Sequence, residues 1–161
     1  MKLATLLFTL FFIGITADLT AIRKEYIKAT ESEDGTVQFY TLTDKIADDS
    51  KDNTLLAYKG TAYTLKAKYA KGLLVKKKLF KQGATLLETA VAKEPANYEA
   101  HLLRLNIQEN APKITGYKKN VEEDKQFLIK NYSNQPADLK LFTKNFVKQS
   151  VSFTADEKAK F

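Results

Sequence analysis

Apolar side chains recur every three or four residues along most of this sequence, and residues that interrupt helices are rare. The clearest stretch is the segment 53–70, whose apolar residues follow steps of 3, 4, 3 and 4: Leu55, Tyr58, Ala62, Leu65 and Tyr69. This spacing places the side chains on one side of an α-helix. Only six Gly and three Pro occur in 161 residues. The pattern therefore predicts an all-α protein.

Polar runs, Gly and Pro divide the rest of the chain into further helical segments. The predicted segments are 19–30, 37–46, 53–70, 77–92, 97–109, 113–132 and 137–147, with a short helical start at Thr154. One alternating run, 36–40, is a candidate strand without a clear partner strand. Short connections make consecutive helices antiparallel neighbours. We therefore expect five to six antiparallel helices, arranged as a bundle or a short α-solenoid.

A repeat signal lies at the end of the fourth segment. Gly83, Ala90 and Pro95 have the spacing found in the second half of a tetratricopeptide unit, and 95–100 resembles the junction into a next unit. Gly83 lies inside an apolar stripe, which predicts the close approach of another helix. The motif's Leu-Gly pair is replaced by Arg104-Leu105, and no third unit follows. The sequence thus predicts a tetratricopeptide-like arrangement or, as the alternative, two packed helical hairpins.

The amino terminus has the pattern of a secretory signal peptide. Met1-Lys2 is followed by an uncharged, mainly apolar run, 3–15, and then by Thr16-Ala17. A transmembrane anchor is the alternative, but it needs about 20 apolar residues and this run is shorter. We predict a signal peptide at 1–17 and a single helical domain at 18–161. The protein is expected to be exported, periplasmic or extracellular, and soluble after cleavage.

The residue inventory excludes several kinds of chemistry. With no Cys and a single His, His101, the chain cannot form a disulfide, a thiol nucleophile, a lipoprotein anchor or a two-His metal site. It contains no phosphate-binding loop, dinucleotide fingerprint or hydrolase motif. The run 48–52 begins like an EF-hand loop, but Asn53 replaces the central Gly and Lys59 the last Glu. We predict no enzyme activity, no cofactor and no bound metal.

Arg104 and Asp124 are charged residues in apolar surroundings. Arg104 is one of only two Arg among 26 basic residues, and it lies between Leu103 and Leu105. Asp124 falls on the apolar side of the sixth helical segment. Charged groups on a core face are usually paired, and a guanidinium suits a two-point contact with a carboxylate. We predict that Arg104 and Asp124 form a structural ion pair, with ligand binding by Arg104 as the alternative.

Three other residues are candidate binding residues: Tyr98, His101 and Tyr117. The alternative for each is packing, because a lone His, or Tyr residues at helical spacing, more often belong to a core. A pocket between helices that joined such Tyr side chains to Arg104 or His101 would favour a small-molecule binder or an enzyme.

The net charge of +7 comes almost wholly from Lys. Lysines cluster before and at the start of the fourth segment: Lys66, Lys68, Lys71, Lys76, Lys77, Lys78 and Lys81. Such a cluster favours an anionic surface, such as lipid headgroups or an acidic polysaccharide, or is simply a solvated face. Two Arg against so many Lys, combined with export, argue against sequence-specific nucleic-acid binding.

Part of the chain, about 55–132, resembles a known family. The matching residues are Asn97, Glu99, Leu103, Arg104, Leu105, Ile107, Gln108, Pro112, Gly116, Tyr117, Asn120, Glu122, Glu123, Asp124 and Lys125, with Tyr58, Lys59, Gly60, Phe80 and Gly83 upstream. The pattern resembles uncharacterised exported, tetratricopeptide-like helical proteins of Bacteroidetes-type bacteria. The resemblance implies an exported helical protein and brings no assigned activity.

These observations favour a non-enzymatic exported protein that binds another protein or a peptide. The alternative is a small-molecule binder or enzyme with a Tyr-lined pocket between helices. A third hypothesis is electrostatic attachment to a membrane surface, without a stable membrane anchor. The sequence makes no prediction of the oligomeric state.

Overall fold

The computed structural model describes residues 18–161, and the predicted signal peptide at 1–17 lies outside them. These residues form eight α-helices and no strand. The helices are α1 (Leu19–Glu31), α2 (Glu33–Thr43), α3 (Asn53–Tyr69), α4 (Leu73–Lys93), α5 (Tyr98–Asn110), α6 (Val121–Asn131), α7 (Ala137–Gln149) and α8 (Ala155–Lys158). The all-α prediction is confirmed. Within 18–161, no helix is long and apolar enough to cross a membrane.

The eight helices exceed the predicted five to six, and the first two are separated by a sharp turn at Ser32. The polar run 31–35 predicts a loop, yet Ser32 alone separates α1 from α2. Its hydroxyl accepts a hydrogen bond from the backbone N–H of Gly35, as an N-cap residue does. The candidate strand 36–40 belongs to α2. One capping side chain thus replaces a whole loop.

The predicted helix 113–132 is wrong over its first eight residues, because α6 begins only at Val121. After Pro112 the chain makes a single 3-10 turn, Lys113–Thr115, and Gly116 follows in the left-handed region with φ of 64°. A left-handed residue ends a helix, and Gly adopts this conformation without a steric penalty. Ile114, in the 3-10 turn, is 94% exposed. The short helical start predicted at Thr154 is confirmed, because Thr154 and Glu157 form a capping box.

Two glycines bring α3 and α4 into backbone contact. A Cβ atom built on Gly60 would lie 2.8 Å from the carbonyl oxygen of Gly83. A Cβ atom on Gly83 would lie closer still to the carbonyl oxygen of Gly60, and 2.7 Å from Cγ2 of Thr64. Such distances leave no room for any side chain. The close helix approach predicted from Gly83 is confirmed.

The core divides into two clusters that meet at α5. The larger cluster joins α1 to α5 around buried aromatic and leucine side chains, including Tyr26, Phe39 and Tyr58. The smaller cluster joins α5, α6, α7 and the carboxyl-terminal residues. Leu103 packs in the larger cluster and its neighbour Leu102 in the smaller one. Because α5 is buried on both sides, its polar residues must find partners inside the protein.

Candidate functional site

Arg104 on α5 and Asp124 on α6 form a two-point ion pair. Nε of Arg104 donates to Oδ2 of Asp124 at 2.8 Å, and Nη2 donates to Oδ1 at 2.6 Å. Asp124 is completely buried and Arg104 is 3% exposed. Burial opposes the charge of Arg104, but its hydrogen bonds to Asp124 and the charge of that carboxylate outweigh burial and raise the guanidinium pKa. The predicted contact is present.

Two more side chains of α5 complete the surroundings of Asp124. Nδ1 of His101 lies 2.6 Å from Oδ1, and the amide of Gln108 donates to Oδ2 at 3.2 Å. The other ring nitrogen of His101 lies 3.0 Å from the carbonyl oxygen of Pro95. Because both atoms facing the ring are acceptors, both contacts are hydrogen bonds only when each nitrogen carries a proton. The ring of Phe127 stacks on His101 with centroids 4.0 Å apart.

The outer side of Arg104 is held by carboxylates nearer to solvent. Its Nη1 donates to Glu88 and its Nη2 to Glu123, each at 3.0 Å. The hydroxyl of Tyr117 donates to Glu88 at 2.7 Å. Burial and then this hydrogen bond raise the pKa of Tyr117. The network thus ties the loop after Pro112 and the start of α6 to α4 and α5.

The only other arginine, Arg23 on α1, forms a second buried network that the sequence analysis missed. Its Nε and Nη2 each donate to the carboxylate of Glu99 at 2.7 Å, and its Nη1 donates to Asp138 at 2.5 Å. The hydroxyl of Tyr58 also donates to Glu99. The hydrogen bonds to Glu99 raise the pKa of Arg23 in spite of its burial. The sequence did contain a signal for this network. In a chain whose basic residues are almost all Lys, an Arg indicates a position that needs a planar guanidinium with two parallel donors.

The possible metal ligands of the Arg104 network are already engaged with one another and with Arg104. His101, Glu123 and Asp124 bring ligand atoms within 4.8 Å of one another. Arg104 already donates to Glu123 and to both oxygens of Asp124, so a cation would compete with a guanidinium for the same acceptors. In the loop compared with an EF-hand, Nζ of Lys59 lies 2.6 Å from Asp48 and occupies the position of a counter-ion.

A groove of about 630 Å³ lies between α1, α5 and α7. This is the size of a ligand site in many proteins. Aromatic side chains, aliphatic side chains and carboxamides line the groove, together with a few charged residues. The lining residues are Tyr26, Ile27, Thr30, Glu31, Leu102, Leu103, Asn106, Glu109, Asn110, Phe142, Asn145, Phe146, Lys148, Gln149, Ser150 and Val151.

The carboxamides are the polar groups that distinguish this groove. Asn106 and Asn110 lie one turn apart on α5 and contact each other, with Nδ2 of Asn110 3.0 Å from Oδ1 of Asn106. Asn145 and Gln149 lie one turn apart on α7 and are exposed. Each carboxamide offers both a donor and an acceptor, which matches the peptide group of another chain. The groove can therefore pair with a backbone as well as cover apolar side chains.

One wall of the groove is fixed by a carboxylate. Glu109 of α5 accepts hydrogen bonds from the hydroxyl of Ser150 and from the backbone N–H of Ser152. These contacts hold the segment after α7 against the end of α5. On the opposite side, Tyr26 is 2% exposed, and its hydroxyl has no hydrogen-bond partner within 18–161. Burial raises the pKa of Tyr26.

The three candidate binding residues from the sequence lie elsewhere. Tyr98, His101 and Tyr117 are not among the residues that line the groove. His101 and Tyr117 are engaged in the Arg104 network. Tyr98 is 4% exposed, packs against Phe127, and has its pKa raised by burial. The carboxamides of the groove were not predicted from the sequence, because Asn and Gln give no periodic signal and two separate helices, α5 and α7, contribute them.

No protein-family model, curated protein or solved structure matches the chain. The resemblance to exported proteins of Bacteroidetes-type bacteria stays a prediction.

Proposed function

We propose that the protein is an exported, non-enzymatic module that binds an extended segment of another protein, or a peptide, in the groove between α1, α5 and α7. The observation that carries this proposal is the lining of the groove. Phe142 and Phe146 offer apolar surface for side chains, while Asn106, Asn110 and Asn145 offer donors and acceptors for a peptide backbone.

The order of the helices supports a tetratricopeptide-like stack of three hairpins, α1–α2, α3–α4 and α5–α6. The first helices of the outer hairpins, α1 and α5, line the groove, whereas α3 of the middle hairpin does not. Contacts of α5 with both α3 and α4 are also those expected when one hairpin packs on the preceding one. This arrangement is part of the proposal.

A groove lined in this way supports peptide binding better than the small-molecule alternative. That alternative calls for a pocket joining several Tyr to Arg104 or His101, and neither residue lines the groove. Both side chains are held instead by Asp124. Export rests on the signal pattern at 1–17 and is part of the same proposal.

Selection from a random peptide library tests the proposal. The purified protein is used to enrich displayed peptides, and the affinity of each enriched peptide is measured by fluorescence anisotropy. Replacing Asn145 by Ala or Ile27 by Asp should weaken binding at least about tenfold, as loss of a central contact does. Failure to enrich any peptide, or binding insensitive to both changes, would overturn the proposal.

Matched substitutions outside the groove serve as controls. Val37 on α2 is 58% exposed and Asn134 is also exposed, and neither lines the groove. Val37→Asp repeats the introduction of a carboxylate, and Asn134→Ala repeats the loss of a carboxamide. Both controls should leave the affinity within about twofold of the unmodified protein, a change under 0.5 kcal/mol.

A further inference from the structure

The sequence between Asp52 and Glu88 contains no acidic residue. This stretch covers α3 and most of α4 and carries eight lysines: Lys59, Lys66, Lys68, Lys71, Lys76, Lys77, Lys78 and Lys81. Lys59 is buried, and its ammonium pairs with Asp48. The others lie around the connection between α3 and α4, which places a strong positive charge at one end of this hairpin.

Three exposed apolar side chains lie within this cluster of lysines. Residues 71–78 are all exposed, and within them Leu73, Leu74 and Val75 are 77%, 82% and 49% exposed. The apolar residues of α4 that join the core begin only at Phe80. The first turn of α4 therefore presents a consecutive apolar triplet to solvent. We call residues 71–78 the hairpin tip.

The tip keeps a defined position although it lies outside the core. Nζ of Lys76 donates to the carbonyl oxygen of Lys68 at 3.2 Å and so joins the first turns of α4 to the end of α3. Behind the tip, the contact between Gly60 and Gly83 fixes the two helices against each other. A rigid hairpin thus carries the apolar triplet at its end.

We propose that the hairpin tip docks the protein on the surface of a bilayer that contains anionic phospholipid. Leu73, Leu74 and Val75 enter the boundary between headgroups and acyl chains, and the surrounding lysines contact lipid phosphates. Short apolar insertions and clustered lysines are the two features by which peripheral proteins bind such surfaces. Each feature alone binds weakly, and the tip combines them.

The same features disfavour other occupants. A second copy of the chain docked tip to tip would bring one lysine cluster against another, and like charges repel. A nucleic acid would use the lysines but would leave the apolar triplet in water. An anionic bilayer satisfies both, because the phosphates lie above the apolar layer. The tip shares no residue with the groove between α1, α5 and α7, so membrane docking and peptide binding can be tested separately.

Vesicle sedimentation tests the proposal directly. The protein should sediment with vesicles of phosphatidylcholine mixed with phosphatidylglycerol, and only weakly with phosphatidylcholine alone. Added salt should weaken the binding, since exposed charges are screened. Two variants should each weaken binding at least about tenfold. The first combines Leu73→Ser with Leu74→Ser, and the second combines Lys76→Gln, Lys77→Gln and Lys78→Gln.

Exposed residues of the loop after Pro112 provide matched controls. Ile114→Ser removes a side chain that is 94% exposed, and Lys118→Gln with Lys119→Gln removes a pair of exposed lysines. Both controls should retain vesicle binding. All variants are compared in the exported form, without the predicted signal peptide at 1–17, because its apolar run would bind vesicles by itself.

The absence of Trp from the chain provides a second measurement. In Leu74→Trp the single indole should shift its fluorescence emission to shorter wavelength when anionic vesicles are added, because it enters an apolar layer. Ile114→Trp should show no shift. The proposal is overturned if anionic vesicles bind no protein or if the tip variants bind like the controls. It is also overturned by an unshifted Leu74→Trp emission, or by tip leucines that mediate self-association instead.

Discussion

The guanidinium of Arg104 and the carboxylate of Asp124 face each other through two hydrogen bonds of 2.8 and 2.6 Å inside the protein. The second arginine, Arg23, makes the same two-point contact with Glu99. Both arginines of this lysine-rich chain are therefore used where a planar fork meets a buried carboxylate. These contacts link α5 to α6 on one side and to α1 on the other.

Arg104→Ala should lower the free energy of unfolding by about 3–5 kcal/mol, because it leaves Asp124 charged and buried without its main partner. Arg104→Lys should cause a smaller loss, since one ammonium cannot satisfy both carboxylate oxygens. Urea denaturation followed by circular dichroism measures both. As a control, Lys118→Ala at an exposed position should change stability by less than about 0.5 kcal/mol. Equal stability of all three variants would contradict a structural role for the pair.

Gly83→Ala should destabilise the protein, although the same change in an exposed helix normally stabilises it by about 1 kcal/mol. The added methyl group would meet the backbone of Gly60 and Thr64, so α3 and α4 must separate. Overpacking of this kind costs about 1–3 kcal/mol. Thermal unfolding of Gly83→Ala shows whether the stability falls or rises. Gln82→Ala, at the preceding exposed position, should be nearly neutral, and a more stable Gly83→Ala would show that the helices are not in close contact.

Much of the fold could be predicted from the sequence because it is recorded in local patterns. Helical periodicity defines α3, and the glycine within the stripe of α4 indicates its close neighbour. Arg104 between two leucines and Asp124 on an apolar face predict their own contact, since a charged group on a core face needs a partner of opposite charge. In these cases a single residue and its spacing carry the information.

The remainder depends on contacts between distant segments. Gly116 ends a helical pattern only because its backbone adopts the left-handed conformation, and Ser32 caps two helices at once. The groove is assembled from α1, α5 and α7, and no local pattern in any one of them predicts it. The Leu73 triplet has the composition of a buried helix, and only the structure places it in solvent.

Tyr26→Phe and Tyr58→Phe should have opposite effects on stability. The Tyr26 hydroxyl is buried without a partner within 18–161, so its removal should stabilise the protein by about 1 kcal/mol. The Tyr58 hydroxyl donates to the buried Glu99 carboxylate, so its removal should cost about 1.5–3 kcal/mol. Urea denaturation of both variants measures the two changes in the free energy of unfolding. A loss of stability in Tyr26→Phe would mean that its hydroxyl has a partner.

Stability should fall as the pH rises above about 10. Burial raises the pKa of Tyr26, Tyr58 and Tyr98 above their ordinary value of 10.0. Above that value the unfolded chain loses these protons while the folded protein keeps them, which favours unfolding. The stabilisation is therefore complete below pH 10 and is lost progressively above it.

Urea midpoints at pH 9, 10 and 11 measure this loss. Each buried tyrosine contributes at most about 1.4 kcal/mol per pH unit, so Tyr26→Phe should show a shallower decline than the unmodified protein. The advantage of Tyr26→Phe should thus grow with pH. Parallel curves for the two proteins would contradict the assignment of Tyr26 as a buried, neutral group.

Amide NMR spectra provide the most direct test of the groove as the binding site. The isotopically labelled protein is titrated with a peptide enriched from the random library, and the shifted amide signals are assigned to the sequence. Shifts concentrated on the groove-lining residues of α1, α5 and α7, such as Ile27, Asn106 and Asn145, are the predicted result. Shifts confined to the hairpin tip, or to the loop after Pro112, would contradict binding in the groove.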